Sequence, residues 1–267
     1  MTMHKERNAA FLDEIGIGTR WVRKEHDALE TEAPVMPLEV AAPIAVQTNP
    51  SAWESESVET NVNTNTTLAE TQTAAMNWVQ LKSAVSNCVQ CGLCKKRTNT
   101  VFGVGDEKAK WLFIGEGPGR NEDAQGEPFV GPAGKLLDNM LLSLGLKRGA
   151  NAYIANIVKC RPTDANGKDR PPTADEAAAC MPYLERQIAL IQPTVIVALG
   201  KTAALALLKR DPETSVSALR GTVHRYADLP LIVTYHPAYL LRSPVDKRKT
   251  WADLCLAMKT FGNSSSA

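Results

Sequence analysis

Between residues 27 and 81 the chain has no lysine or arginine, while eight acids fall there: Asp27, Glu30, Glu32, Glu39, Glu54, Glu56, Glu59 and Glu70. The formal net charge of +1 therefore hides an asymmetry, because residues 82–267 carry 25 basic and 17 acidic side chains. Such an excess suits a polyanion, and it also suits an ordinary soluble enzyme. No run of about 18 uncharged apolar residues is present, which excludes a membrane-spanning helix. The opening MTMHKERNAAFLDE lacks the apolar stretch of a secretory signal. These absences point to a cytoplasmic protein, in which six cysteines are expected as ligands or buried thiols rather than disulfides. No internal repeat is found.

Two nucleotide signatures are also missing. The glycine-rich GEGPG at 115–119 contains Pro118, has no Lys-Ser/Thr after it and no glycine closing a GxGxxG pattern, so neither a P-loop nor a dinucleotide fingerprint is present. Residues 30–73, rich in Pro, Thr, Asn, Ala and Glu without a sustained period, read as a disordered acidic linker. Ahead of it, Phe11, Leu12, Ile15, Ile17, Trp21 and Val22 suit a short peptide over 1–28 that orders on a partner. The expected division is 1–28 peptide, 29–73 linker and 74–262 folded domain.

Within that domain four apolar runs, 110–115, 152–158, 194–200 and 230–235, alternate with helical stretches at 134–146, 173–191 and 201–209, and a last helix is expected over 246–261. A first helix near Ala74 is expected to bury Met76, Val79, Leu81 and Val85 on one face. Apolar strands joined by crossover helices predict an α/β fold with a parallel sheet covered on both faces. Ligands of such sheets bind at the carboxyl ends of the strands. Those ends carry Glu116, Glu122, Asn156 and His236, and the glycines at 115, 117 and 119 let a ligand approach the backbone and leave amides free.

The cysteines begin with SNCVQCGLCKK at 86–96. A Cys-x-x-Cys pair serves zinc, iron–sulfur and thiol–disulfide chemistry alike, so taken alone it decides nothing. Cys255 lies in an apolar helical register and reads as a core residue.

GEGPG, EPFVGPAGKLL, NIVKCRP, a cysteine ahead of YLERQI, and HPAYLLR follow one another over roughly 80–260. In this ordered set the chain resembles the family 4 uracil-DNA glycosylases. The resemblance implies a three-layer α/β sandwich around a four-stranded parallel sheet, here with a long disordered N-terminal extension. It implies a 4Fe–4S cluster held by Cys88, Cys91, Cys160 and Cys180, with Cys94 a competitor of Cys91. The 19 residues between Cys160 and Cys180 are expected as a long exposed loop.

The implied activity is removal of uracil from single- or double-stranded DNA by flipping the nucleotide and hydrolysing its glycosidic bond. Phe129 would stack on the base, Asn156 would read its edge beside Gly117, and His236 would stabilise the oxygen that gains charge. A carboxylate would act at the sugar or on water, Glu122 first and Glu116 second, with Asp123 as competitor. Tyr239, Leu240, Leu241 and Arg242 would form an apolar wedge with a phosphate contact. Two alternatives stay open: a cluster-bearing DNA-binding module without catalysis, and a relative with another base preference. The segment FLDEIGIGTRWVRK at 11–24 is similar to the N-terminal peptide of the psi subunit of DNA polymerase III, which implies docking on the clamp loader. A cytoplasmic, nucleoid-associated protein follows.

Overall fold

The computed structural model describes residues 72–264. The 1–28 peptide and nearly all of the 29–73 linker lie outside the described residues. Helix α1 (Trp78–Ser86) starts on a reciprocal cap: the Asn77 side chain accepts from Gln80 N and the Gln80 side chain accepts from Asn77 N, each at 2.9 Å, which satisfies two of the donors a helix start leaves open. Leu81 and Val85, four residues apart, are its buried positions. Val79 is 77% exposed, a correction to the expected face, because it lies about 200° around the helix from Leu81.

Strands β1 (Val104–Gly105) and β2 (Trp111–Gly115) are followed by helices α2 (Arg120–Gln125) and α3 (Pro132–Ser143). Strand β3 (Ala152–Asn156) leads to α4 (Ala174–Ile191), and β4 (Val195–Leu199) to α5 (Lys201–Leu208) and α6 (Val216–Leu219). Strands β5 (Val223–Tyr226) and β6 (Leu229–Thr234) precede α7 (Pro237–Arg242) and α8 (Lys247–Ser264). The sheet order is β1-β3-β2-β4-β6-β5. The inner four strands are parallel and coincide with the four apolar runs, while β1 and β5 pair antiparallel at the edges. The sheet is thus six-stranded rather than four-stranded, although the α/β class is as expected.

Every residue of β2, β3 and β4 is buried, as a parallel sheet covered on both sides requires. Alternation assigns the two faces. Leu112 and Ile114 join the core built with α1, α4 and α5, whereas Trp111 and Phe113 join the one built with α3, α7 and α8.

The register Gly115↔Asn156 and Leu199↔Thr234 brings the carboxyl ends of all four inner strands to one edge. There the end of β6 is fixed by Asp253 of α8, which is 1% exposed. Asp253 accepts from Thr234 Oγ1 at 2.8 Å and from the Arg220 guanidinium at 2.9 and 3.0 Å. This forked ion pair anchors the strand two residues before His236. Among the described residues no helix is long and apolar enough to cross a membrane.

Candidate active site and thiol cavity

A cavity of about 220 Å³ opens at that edge, lined among others by Glu116, Gly117, Glu122, Phe129, Asn156 and His236. The inner-strand exits and the 126–131 loop bring all six together. The backbone must pass close beneath the site. A Cβ built on Gly115 would stand 2.5 Å from Asn156 Oδ1 and 2.6 Å from the Phe129 ring, so only glycine leaves room there.

Asn156 is 2% exposed, and its Oδ1 has no hydrogen-bond partner. A buried acceptor without a donor costs about 1–3 kcal/mol, so natural proteins rarely keep one without a use. Beside it the Phe129 ring lies near-parallel to the His236 imidazole, with centroids 5.5 Å apart and planes at 29°.

His236 caps α7, its Nδ1 accepting from Ala238 N at 3.1 Å. An amide N–H can only donate, so Nδ1 is the acceptor and the neutral ring carries its proton on Nε2. Burial, aided by the charge of Arg242 and opposed by Glu122, pushes the imidazole pKa down to about 4. The ring is neutral at physiological pH.

The carboxylates are held in different ways. Glu122 accepts from Gly119 N (3.1 Å), Val130 N (2.9 Å) and Gly131 N (3.1 Å), clasping the GEGPG loop to the 128–131 loop. Glu116 accepts from Thr202 Oγ1 at the start of α5. Asp123, buried at 4% exposure, accepts instead from Thr98 N and Asn99 N, and it does not line the cavity. It is a structural cap rather than a competitor for the sugar.

Around His236 the residues of α7 separate by helical phase. Leu240 is 1% exposed and packs in the core, so it is not available as a wedge, in contrast to the expectation from sequence. Leu241, the next residue, is 45% exposed. Tyr239 donates to Asp246 Oδ2 at 2.7 Å, and Arg242 sits in the last turn.

Asp169 and Arg170 also line the cavity, and sequence reasoning missed both. The segment after Cys160 is largely exposed, as expected, and folds back on itself through a Thr163–Asp169 bridge before α4 begins at Ala174. Arg161 Nε donates to Asp169 Oδ1 at 2.6 Å, and Arg170 forks onto both Glu176 oxygens at 2.7 and 2.8 Å. The signal was the Arg-x₇-Asp-Arg spacing of mixed charges within a stretch read only as exposed loop.

A second cavity adjoins the exit of β3. Cys88, Cys91, Cys94, Cys160 and Cys180 all line it, and Cys255 of α8 does not. Four of the five sulfurs face N–H donors. Gln90 N approaches Cys88 Sγ at 3.5 Å, Arg97 Nη1 approaches Cys160 Sγ at 3.2 Å, and Lys159 N approaches Cys180 Sγ at 3.3 Å. The Leu93 amide bonds Cys91. Burial raises the thiol pKa of Cys91 and of Cys160, and pushes that of Cys180 up to about 12. Among the described residues no three His, Cys, Asp or Glu side chains converge as a set for one metal ion.

A parallel α/β sandwich with an aromatic ring, an unpaired amide oxygen and a neutral imidazole around one pocket at its strand exits is built to hold a small, planar, polar group. The chain belongs to the uracil DNA glycosylase superfamily, whose family model matches residues 102–255. It is 46% identical over 166 residues to a protein of Archaeoglobus fulgidus named Type-4 uracil-DNA glycosylase, covering 60% of this chain and 81% of that one. A Type-4 uracil-DNA glycosylase of Pyrobaculum aerophilum is 38% identical over 188 residues, 68% of this chain and 93% of its own. One from Thermotoga maritima is 44% identical over 160 residues, 60% and 80% of the two chains.

Proposed function

We propose that this protein is a DNA-repair glycosylase that takes uracil out of the DNA stack and hydrolyses its N-glycosidic bond, leaving an abasic site. The observation that carries this reading is the unpaired Oδ1 of buried Asn156, set beside the Phe129–His236 pair in one cavity. Uracil offers an N3–H donor next to a carbonyl acceptor, and one amide side chain complements both. Cytosine presents a ring acceptor and an exocyclic donor instead, so the amide in the orientation that serves uracil opposes it.

Chemistry on a base requires the nucleotide to leave the helix. Phe129 supplies the face on which it stacks, and exposed Leu241, with Tyr239 and Arg242, meets the gap and the backbone. As the bond from C1′ to N1 breaks, its electron pair passes into the uracil ring and charge gathers on the carbonyl oxygens. The Nε2–H of neutral His236 donates to one of them, a contact that strengthens only as the charge grows. A pocket carboxylate meets the positive sugar and holds the attacking water. Glu122, at the family position, comes first with one acceptor site left after its three amides, and Glu116, tied to Thr202 through one oxygen, comes second. The test is incubation with a uracil-containing single-stranded oligonucleotide followed by alkaline cleavage. Cleavage at the uracil position is the expected result, and an intact strand would sink the reading along with every role assigned here.

The thiol cavity fits a 4Fe–4S cluster held by Cys88, Cys91, Cys160 and Cys180, because N–H donors already face those four sulfurs, and such bonds orient cluster ligands and tune the cluster's potential. A cluster held by these four residues would tie the 88–91 turn to the β3 exit and α4. Protein purified aerobically is expected to be yellow-brown with about four irons per chain. Alanine at any of the four positions bleaches it, and Cys94→Ala does not; a colourless, zinc-loaded and active protein would refute the assignment. Residues 74–262 form the glycosylase domain in this reading. The 1–28 peptide, tethered by the acidic linker, carries it to the clamp loader near the nucleoid, a role supported only by the short likeness at 11–24.

A further inference from the structure

Phe129 stands out on backbone grounds. Its φ of 56° lies in the left-handed region, which bulky L-residues rarely enter and which persists only where the surroundings impose it. The conformation matters, because it is what turns the ring, 6% exposed, over His236 and against Gly115. A residue outside the cavity bonds the carbonyls of this turn. Arg148, in the loop after α3, donates from Nη1 to Pro128 O at 2.7 Å and from Nη2 to Phe129 O at 2.9 Å. Asp138 on α3 holds the fork in place, accepting from Arg148 Nε at 3.0 Å.

On the other side of the same turn, Glu122 holds the amides of Val130 and Gly131. Carbonyls on one flank and amides on the other are therefore both fixed. The Phe129 carbonyl is further seated over α3, since a Cβ on Gly134 would stand 1.7 Å from that oxygen.

We infer that Arg148, buttressed by Asp138, is a positioning residue for uracil excision: it locks the Pro128–Phe129 carbonyls so that the Phe129 ring is preset as the stacking face for the flipped base. The inference rests on the base-stacking role of Phe129 proposed above. The planar fork is required, because a lysine ammonium can reach one of the two carbonyls at good geometry but not hold both in one plane.

The test is a double-mutant cycle in the full chain, reading single-turnover uracil excision and inhibition by free uracil, with iron content and melting temperature as controls of the fold. Arg148→Met is expected to slow excision and weaken free-uracil inhibition, each by roughly 10- to 100-fold, the scale of a misplaced contact. Arg148→Lys should fall between Arg148→Met and the unsubstituted protein. Phe129→Ala combined with Arg148→Met should be no worse than Phe129→Ala alone, since the arginine acts through the ring. Losses that multiply, or full activity in Arg148→Lys, would overturn the inference. Should Arg148→Met fail to fold, Asp138→Asn, which loosens the fork and leaves its carbonyl partners in place, must show the same non-additivity with Phe129→Ala. If Phe129→Ala itself leaves excision and uracil inhibition unchanged, the stacking reading has failed, and that outcome is distinct from the failure of the clamp.

Discussion

His236→Ala should slow single-turnover uracil excision by about 100-fold or more, the usual cost of losing one donor aimed at developing charge. The preference for uracil over cytosine should stay where it was, because in its proposed role the imidazole meets charge rather than reading the edge that separates the two bases. A pH profile gives a second readout on the same residue. With the pKa pushed down to about 4 by burial, the rate should show no break near 6.5, where an ordinary histidine titrates, and should fall only as pH approaches 4.

The stability of the fold follows the same group. The unfolded chain takes up the proton near 6.5 while the folded ring holds out to about 4. The unfolded state therefore gains protons first, and stability is lost as pH falls through that window. His236→Gln should flatten this part of the curve in denaturant titrations. Wild-type excision by His236→Ala would make the residue a structural cap of α7, a role its Nδ1 bond to Ala238 N already fills.

Much of the fold was legible because a parallel sheet writes itself as unbroken apolar runs, and the four runs coincide with β2, β3, β4 and β6. The two edge strands left no such trace. Val104–Gly105 is two residues long, and Val223–Tyr226 is alternately exposed and half-buried, so neither has a continuous apolar stretch to detect. Pocket residues at strand exits were legible for the same reason as the strands. Phase within a short helix was not: Leu240 and Leu241 are alike in sequence, and only the packing of α7 on α3 buries one and exposes the other.

Long-range ties escaped sequence reading altogether. The sequence spacing of Glu122 from Val130 and Gly131, or of Arg148 from Pro128 and Phe129, has no periodic signature. These bonds exist because loops from different elements meet at one edge of the sheet. The same holds for the segment between Cys160 and Cys180. Both its ends are fixed at the thiol cavity, so its middle returns to the rim of the pocket and brings Asp169 with it.

Asn156→Asp should alter choice where His236→Ala alters speed. In the proposed role of Asn156 the amide offers N–H to a uracil carbonyl and Oδ1 to N3–H. An aspartate in this position is buried, which drives the carboxyl toward its neutral form, while buried Lys159, whose Nζ donates to Asn156 O at 2.9 Å, opposes that shift. Ionised, the carboxyl has no donor for the uracil carbonyl and repels it; neutral, its one O–H can sit on either oxygen, so it meets the ring N3 and exocyclic amine of cytosine as readily as the N3–H and carbonyl of uracil. Sites built around a substrate's hydrogen-bonding edge reject a mismatched analogue by roughly 10⁴-fold or more. Removing that basis should lower the uracil-to-cytosine ratio by at least about 100-fold, most of it through slower uracil excision and the rest through new cytosine excision. The measurement is single-turnover excision from matched uracil and cytosine oligonucleotides by the unsubstituted protein, Asn156→Asp and His236→Ala side by side. A ratio that stays constant in Asn156→Asp would mean that the unpaired Oδ1 serves some purpose other than reading the base. A ratio that collapses in His236→Ala as well would mean that edge reading and charge stabilisation are not the separable functions of two strand exits proposed above.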